Sequence, residues 1–337
     1  MSKENLEIKL AEAVKNCKSD ESFTVVEYPE NLTDNRKNHF LVMMKPEVLD
    51  HRNGVDTDKA VSLILRKFEE FDVDIKACFV AGGSFIKERS LMEKQYFMLN
   101  KGCRTGLKDY PSDFCRSVEE ENKDCEIVGA YEFAERYPEY TFDRLLQDSN
   151  KYGSRKIGNG LYMLELDYKG RKYGILNAFH PKQLEHFNNS KSLMVFFDCA
   201  SDATYDDLAH KLIGFYDPSK ADTNSLRGEI YNNSSAYRIP SVEIMYNGFH
   251  ISPSPLEGMF ATLRYSEAFG SDVNKEEINI NRKLIEKGFS MDQIMNLKKN
   301  PCVLIDNEWR ALFELVEGKD EDFIVDFIDK IFSRLCY

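Results

Sequence analysis

Short apolar runs of strand length alternate along this chain with helix-length amphipathic stripes, and one long break interrupts the alternation. That pattern limits the fold to layered mixtures of sheet and helix. Residues 39–45, His-Phe-Leu-Val-Met-Met-Lys, read as a buried strand that stops at Pro46 and presents Lys45 at its end. Residues 56–71 follow as a helix, with Val61, Leu63, Ile64, Leu65 and Phe68 on its stripe. A second strand is expected over 75–85, bent at Gly82-Gly83, and a helix over 87–99. The pattern lapses after Asn100 and resumes with a helix over 179–187, a strand over 191–199 and a helix over 205–213. A fourth strand is expected over 241–249, running directly into His250, and a helix over 256–269 closes the series. Without the break the order is β-α-β-helices-β-α-β-α, an α+β sandwich of the ferredoxin-like split βαβ type with an added helical hairpin.

The expected organisation has four parts. Residues 1–37 form an N-terminal helix and linker, the helix over 4–17 and a polar stretch over 31–37. Residues 38–100 and 177–270 form the main domain, and 101–176 an insertion subdomain. Within the insertion, residues 162–176 alternate on both sides of Lys169-Gly170, a hairpin signal. Residues 271–337 are charged and read as a helical C-terminal appendage, with amphipathic stretches over 291–297 and 323–335.

Charge and cysteine usage narrow the function classes. The formal net charge of −12 argues against general affinity for nucleic acid or an anionic membrane, so phosphate chemistry requires a local basic pocket. The eight cysteines contain no C-x-x-C pair, and reduced thiols in the cytoplasm are the expectation. No apolar run approaches the roughly 18 residues of a membrane-spanning helix, so the chain is expected to be soluble.

Three motifs carry the chemistry. Lys45-Pro46-Glu47 follows the first strand, Arg227-Gly228-Glu229 lies ten residues after Asp217-Pro218, and Asn247-Gly-Phe-His250-Ile-Ser252-Pro-Ser254 follows the fourth strand. In this order they resemble the active site of the nucleoside diphosphate kinase family, over residues 38–100 and 177–270. The resemblance implies that His250 takes the γ-phosphate of a nucleoside triphosphate and passes it to a diphosphate, splitting one difficult transfer into two. It implies phosphate contacts from Lys45, Arg227, Tyr96 and Asn247, orientation of His250 by Ser252, and Mg²⁺ bound through the nucleotide phosphates. It also implies base stacking where Phe179 and His180 stand, and a homo-oligomer; membrane and nucleic-acid partners are not expected.

The chain departs from the family pattern at named positions. Ile251 and Pro253 replace a glycine and an aspartate, His210 an arginine, Tyr216 a threonine, and Ala261 the glutamate that braces the histidine. Lys211 is the candidate substitute for the missing arginine and Glu257 for the missing brace. The stretch between Arg227 and Asn247 is longer than usual, which puts Arg238 within possible reach of phosphate. For Tyr96, Phe179 and His180, core packing is an equal alternative. Two functional readings stand: a phosphotransferase working through phospho-His250, and a catalytically impaired nucleotide-binding regulatory or interaction module of the same fold. The insertion, entering between the helices at Tyr96 and at 179–187, is expected to cap or flank the site.

Overall fold

The computed structural model describes residues 3–26, 35–158, 160–306 and 308–337; residues 31–34 of the expected linker fall outside these. The chain is an α+β protein. Among the described residues the strands are β1 (Ser22–Val26), β2 (Asn38–Met44), β3 (Asp74–Gly82), β4 (Glu126–Gly129), β5 (Arg155–Gly158), β6 (Leu161–Tyr168), β7 (Arg171–Leu176), β8 (Leu193–Ser201), β9 (Phe249–Ile251), β10 (Cys302–Ile305) and β11 (Glu308–Ala311).

The main sheet has the order β1-β3-β8-β2-β9, with every neighbouring pair antiparallel. Helices cover both faces, so the central strand β8 is buried along its whole length and reads as an unbroken apolar run rather than an alternating one. Residues still alternate between faces: Phe40, Val42, Met44 and Phe197 join one core with the helices Lys3–Asn16 and Thr57–Glu70, whereas Leu41, Met43 and Phe196 join the other with Leu91–Gln95, His180–Phe187 and Pro255–Ala268. Burying each fully enclosed phenylalanine contributes roughly 1.5–3 kcal/mol.

Several expectations need correction. The fourth strand is three residues long, Phe249–Ile251, and His250 lies inside it opposite Met43. Gly248 at φ +78 takes the last bond to the β2 side and turns the chain away, so the apolar residues upstream of it find no strand partner. The helix expected over 87–99 is three short helices, Gly83–Glu88, Leu91–Gln95 and Phe97–Thr105, the last running across the expected boundary at residue 100. Residues 22–26, read as linker, form an edge strand on β3; their Phe, Thr and Val favour a strand, but only Val25 is buried, so the segment buries no apolar face. The helix over 205–213 is present, but Leu208–Ile213 is wound as a π-helix.

The insertion carries its own sheet, β4-β7-β6-β5, in which β4 and β7 are parallel. Its β6–β7 hairpin turns at Lys169 and Gly170, both at positive φ as a two-residue I′ turn requires. Residues 271–337 are not purely helical: β10 and β11 form a hairpin beside the helices Asn279–Glu286, Met291–Asn296 and Glu321–Ile331. Leu256, Met259 and Phe260 of the helix Pro255–Ala268 belong to this region's core, so the segment just after His250 is packed against it. No helix among the described residues is long and apolar enough to cross a membrane.

Candidate functional site

β2 ends beside the start of β9, and a cluster of charge is built there. Lys45 follows β2, and its backbone N–H donates to Gly248 O at 2.8 Å, extending the ladder by one bond. Pro46 then opens a 3₁₀ turn, Pro46–Val48, that folds Glu47 back onto Lys45, with Nζ to Oε1 at 3.3 Å. Glu47 Oε1 also accepts from Gly248 N at 2.7 Å, and its Oε2 lies 2.9 Å from His186 Nε2. Gly248 is required here twice over, by its positive φ and because a Cβ would meet Ile230 Cδ1 at 2.5 Å.

Arg227 enters from the helix Leu226–Asn232, which Ser225 caps by accepting from Gly228 N. Gly228 lets this helix approach residue 222, whose carbonyl oxygen would lie 1.9 Å from a Cβ at that position. The guanidinium is buried; Nη1 donates to Gly214 O at 2.8 Å and Nη2 to Phe249 O at 2.8 Å. Burial lowers Arg227 to about 10, partly offset by Tyr96 and Glu47. Burial likewise lowers the Lys45 ammonium, with Glu47 opposing and Arg227 adding to the effect. Burial alone would raise Glu47, but Lys45, His186 and the Gly248 N–H bring it down to about 2. Of the two buried cations, Lys45 pairs with this carboxylate and Arg227 bonds only to backbone carbonyls.

The His250 imidazole projects from β9 toward Tyr96, ring centroids 5.5 Å apart, and its Nε2 is shut off from solvent without a hydrogen-bond partner. Burial, with Arg227 and Lys45 beside it, lowers His250 to about 3. The ring is neutral at physiological pH, with one nitrogen available as acceptor. Tyr96 stacks on Phe187 at 5.7 Å, and burial raises its hydroxyl, next to Tyr265. Asn247 Nδ2 donates to Tyr216 O and Ile244 O, while its buried Oδ1 has no partner.

The structure thus brings together Lys45, Arg227, His250, Tyr96 and Asn247, and leaves other candidates elsewhere. Lys211 is exposed and pairs with Asp207 at 2.7 Å, one turn back along its helix. Arg238 is exposed near Asp56, at 3.9 Å. Ser252 bonds to Leu41 N and to the Tyr205 hydroxyl, so it fastens the end of β9 to the sheet rather than orienting His250. Glu257 bonds to Ser254 at the start of its helix, and burial beside Glu317 raises its carboxyl to about 8. His180 is fully buried, its Nδ1 3.0 Å from Gln183 Oε1, and burial lowers it to about 4; no face is open for a base. Phe179 sits edge-on to Tyr162 of the insertion at 5.9 Å.

Sequence reasoning gave no role to Glu47 or His186. An acid two residues after a lysine, with proline between, is the signal that finds Glu47; nothing local marks His186. No protein-family model matches the chain, and a search of curated proteins finds no match.

Proposed function

We propose that the chain is a phosphotransferase of the nucleoside diphosphate kinase type, with His250 as the phosphoryl acceptor. One observation carries the reading: the neutral imidazole of His250 lies beside two buried cations that a single carboxylate leaves undercompensated. A buried excess of positive charge is costly unless an anion completes it. A phosphoryl group supplies that anion, and the transition state adds charge where the cations already stand. The order β3-β8-β2-β9, in which the second, third, first and fourth strands of a split βαβ unit lie side by side, supports the same family.

In this mechanism a lone-pair nitrogen of His250 attacks the γ-phosphorus while Lys45 and Arg227 stabilise its oxygens. Among the described residues no group of three or more His, Cys, Asp or Glu is placed to hold a metal. Magnesium, as the resemblance implies, would be held through the nucleotide phosphates, where it would neutralise charge on the leaving diphosphate.

A second reading, a nucleotide-binding module without turnover, is favoured by a different observation. The donors of Lys45 and Arg227 already bond to the carbonyls of Met245, Gly214 and Phe249, so an incoming phosphate must displace the chain's own oxygens. Incubation with γ-labelled ATP separates the two. The first reading expects acid-labile, base-stable label on the wild type and background label on His250→Ala. Nucleotide binding without label on either protein selects the second.

A further inference from the structure

The hairpin strand β10 carries a pairing that the proposed transfer does not use. Cys302 and Cys336 form an isolated antiparallel bridge in which each residue donates its N–H to the other's carbonyl, both at 2.8 Å. Two residues that exchange both bonds have Cα atoms about 5.5 Å apart. That lies within the Cα separations a disulfide spans, roughly 4.4–6.8 Å, and the Cβ atoms of such a pair, near 5.5 Å, must close by about 1 Å for the sulfurs to bond. Both side chains leave the ladder on the same face, as directly opposed residues must. Both stand as thiols, Cys302 buried and Cys336 exposed. Burial raises the Cys302 thiol, with Glu314 and Cys336 adding to the effect, which makes it the weaker attacking group.

We propose that Cys302 and Cys336 are a redox-active dithiol, a modification site that reacts with a low-molecular-weight disulfide of the glutathione class. The exposed Cys336 thiolate attacks one sulfur of the small disulfide, forming a mixed disulfide and releasing one small thiol. Cys302, deprotonated on attack, then displaces the second small thiol from Cys336 Sγ. Two protein thiols and one small disulfide become one protein disulfide and two small thiols, so atoms and electrons balance. The product joins residue 336 covalently to the hairpin. The same hairpin packs, through Val303, in the core that holds Leu256 and Met259 just downstream of His250.

The test treats the intact reduced protein with oxidised glutathione, blocks remaining thiols by alkylation, and maps linked peptides by mass spectrometry. The expected result is one dominant link, Cys302 to Cys336, reversed by dithiothreitol. In urea the same treatment scatters the links among the eight cysteines, because selectivity comes from the fold. Cys302→Ser should instead accumulate a stable mixed disulfide on Cys336, and Cys336→Ser should lose both products, with circular dichroism confirming that each variant is folded. Glutathione retained on wild-type Cys336 without the internal link, an unreactive Cys336, or links scattered in the native state as in urea each overturns the proposal. None of these readouts depends on phosphotransfer.

Discussion

β2 has buried charge at both of its ends, and the two ends are built on opposite principles. At its start, Asn38 receives Glu321 N on its side-chain oxygen and donates to Asp320, while Glu321, wholly buried, accepts from Asn279 Nδ2 at 2.7 Å and pairs with Lys283 at 2.9 Å. Asp320 in turn pairs with Lys37 at 2.7 Å. Lys283 also meets the exposed Asp322 at 2.6 Å, so both ammonium groups here have carboxylate partners, and the result ties the helix Glu321–Ile331 to the main sheet. At its other end Lys45 pairs with Glu47, whereas Arg227 makes no ion pair among the described residues, and the donors of both cations rest on backbone carbonyls. Balanced charge is what structure needs; an excess of one sign is what an ionic ligand needs.

The sharpest way to break this comparison is to remove one charge from each end. Glu321→Ala takes the buried partner from both Asn279 and Lys283, leaving Lys283 only the exposed Asp322, and should cost about 3–5 kcal/mol of unfolding free energy in urea. Lys45→Met leaves the buried Glu47 carboxylate with only His186 and the Gly248 N–H and strands the Met245 carbonyl, so it should cost about 1–2 kcal/mol, while abolishing phosphoryl labelling. A loss as large as that of Glu321→Ala would mean that the two ends of β2 are equally compensated. Arg227→Ala falls between, at about 2–3 kcal/mol, because it strands the buried carbonyls of Gly214 and Phe249. An equal cost for Arg227→Lys would show that the planar fork matters more than the charge.

A smaller effect sharpens the contrast through pH. The Glu257 carboxyl is raised from 4.5 to about 8, so the folded chain binds more protons than the unfolded one between those values. Stability should therefore fall as pH rises from 4.5 through 8, by at most about 1.4 kcal/mol per unit. Glu257→Gln should remove that fall while keeping a hydrogen-bonding group for Ser254. The buried imidazoles of His250 and His180 act on the acid side, where stability falls as pH drops from 6.5 toward 3 and 4 respectively. A Glu257→Gln profile identical to wild type on the alkaline side would place that carboxyl in water.

Local pattern was enough for β2, β3, β8 and the β6–β7 hairpin, because apolar alternation and turn chemistry act over a few residues. The order of the Lys45, Arg227 and His250 motifs was legible in the same way. The short β9, the edge strand β1 and the β10–β11 hairpin were not, since their limits come from partners and from the left-handed Gly248.

The chain's own order of residues determined which groups could gather at the ends of β2 and β9: a lysine after a strand, an arginine opening a helix, a histidine beside both. Tertiary structure alone decided which of them point inward. Lys211 and Arg238 are cations of the same chemistry as Lys45, yet they lie on outer surfaces and pair with acids there. Ser252 and Glu257 flank His250 in sequence but face Tyr205 and Ser254. Glu47 became central because a 3₁₀ turn folded it back onto Lys45 and His186. The reason is geometric: electrostatic interaction depends on distance and burial, and neither is set until distant segments have packed.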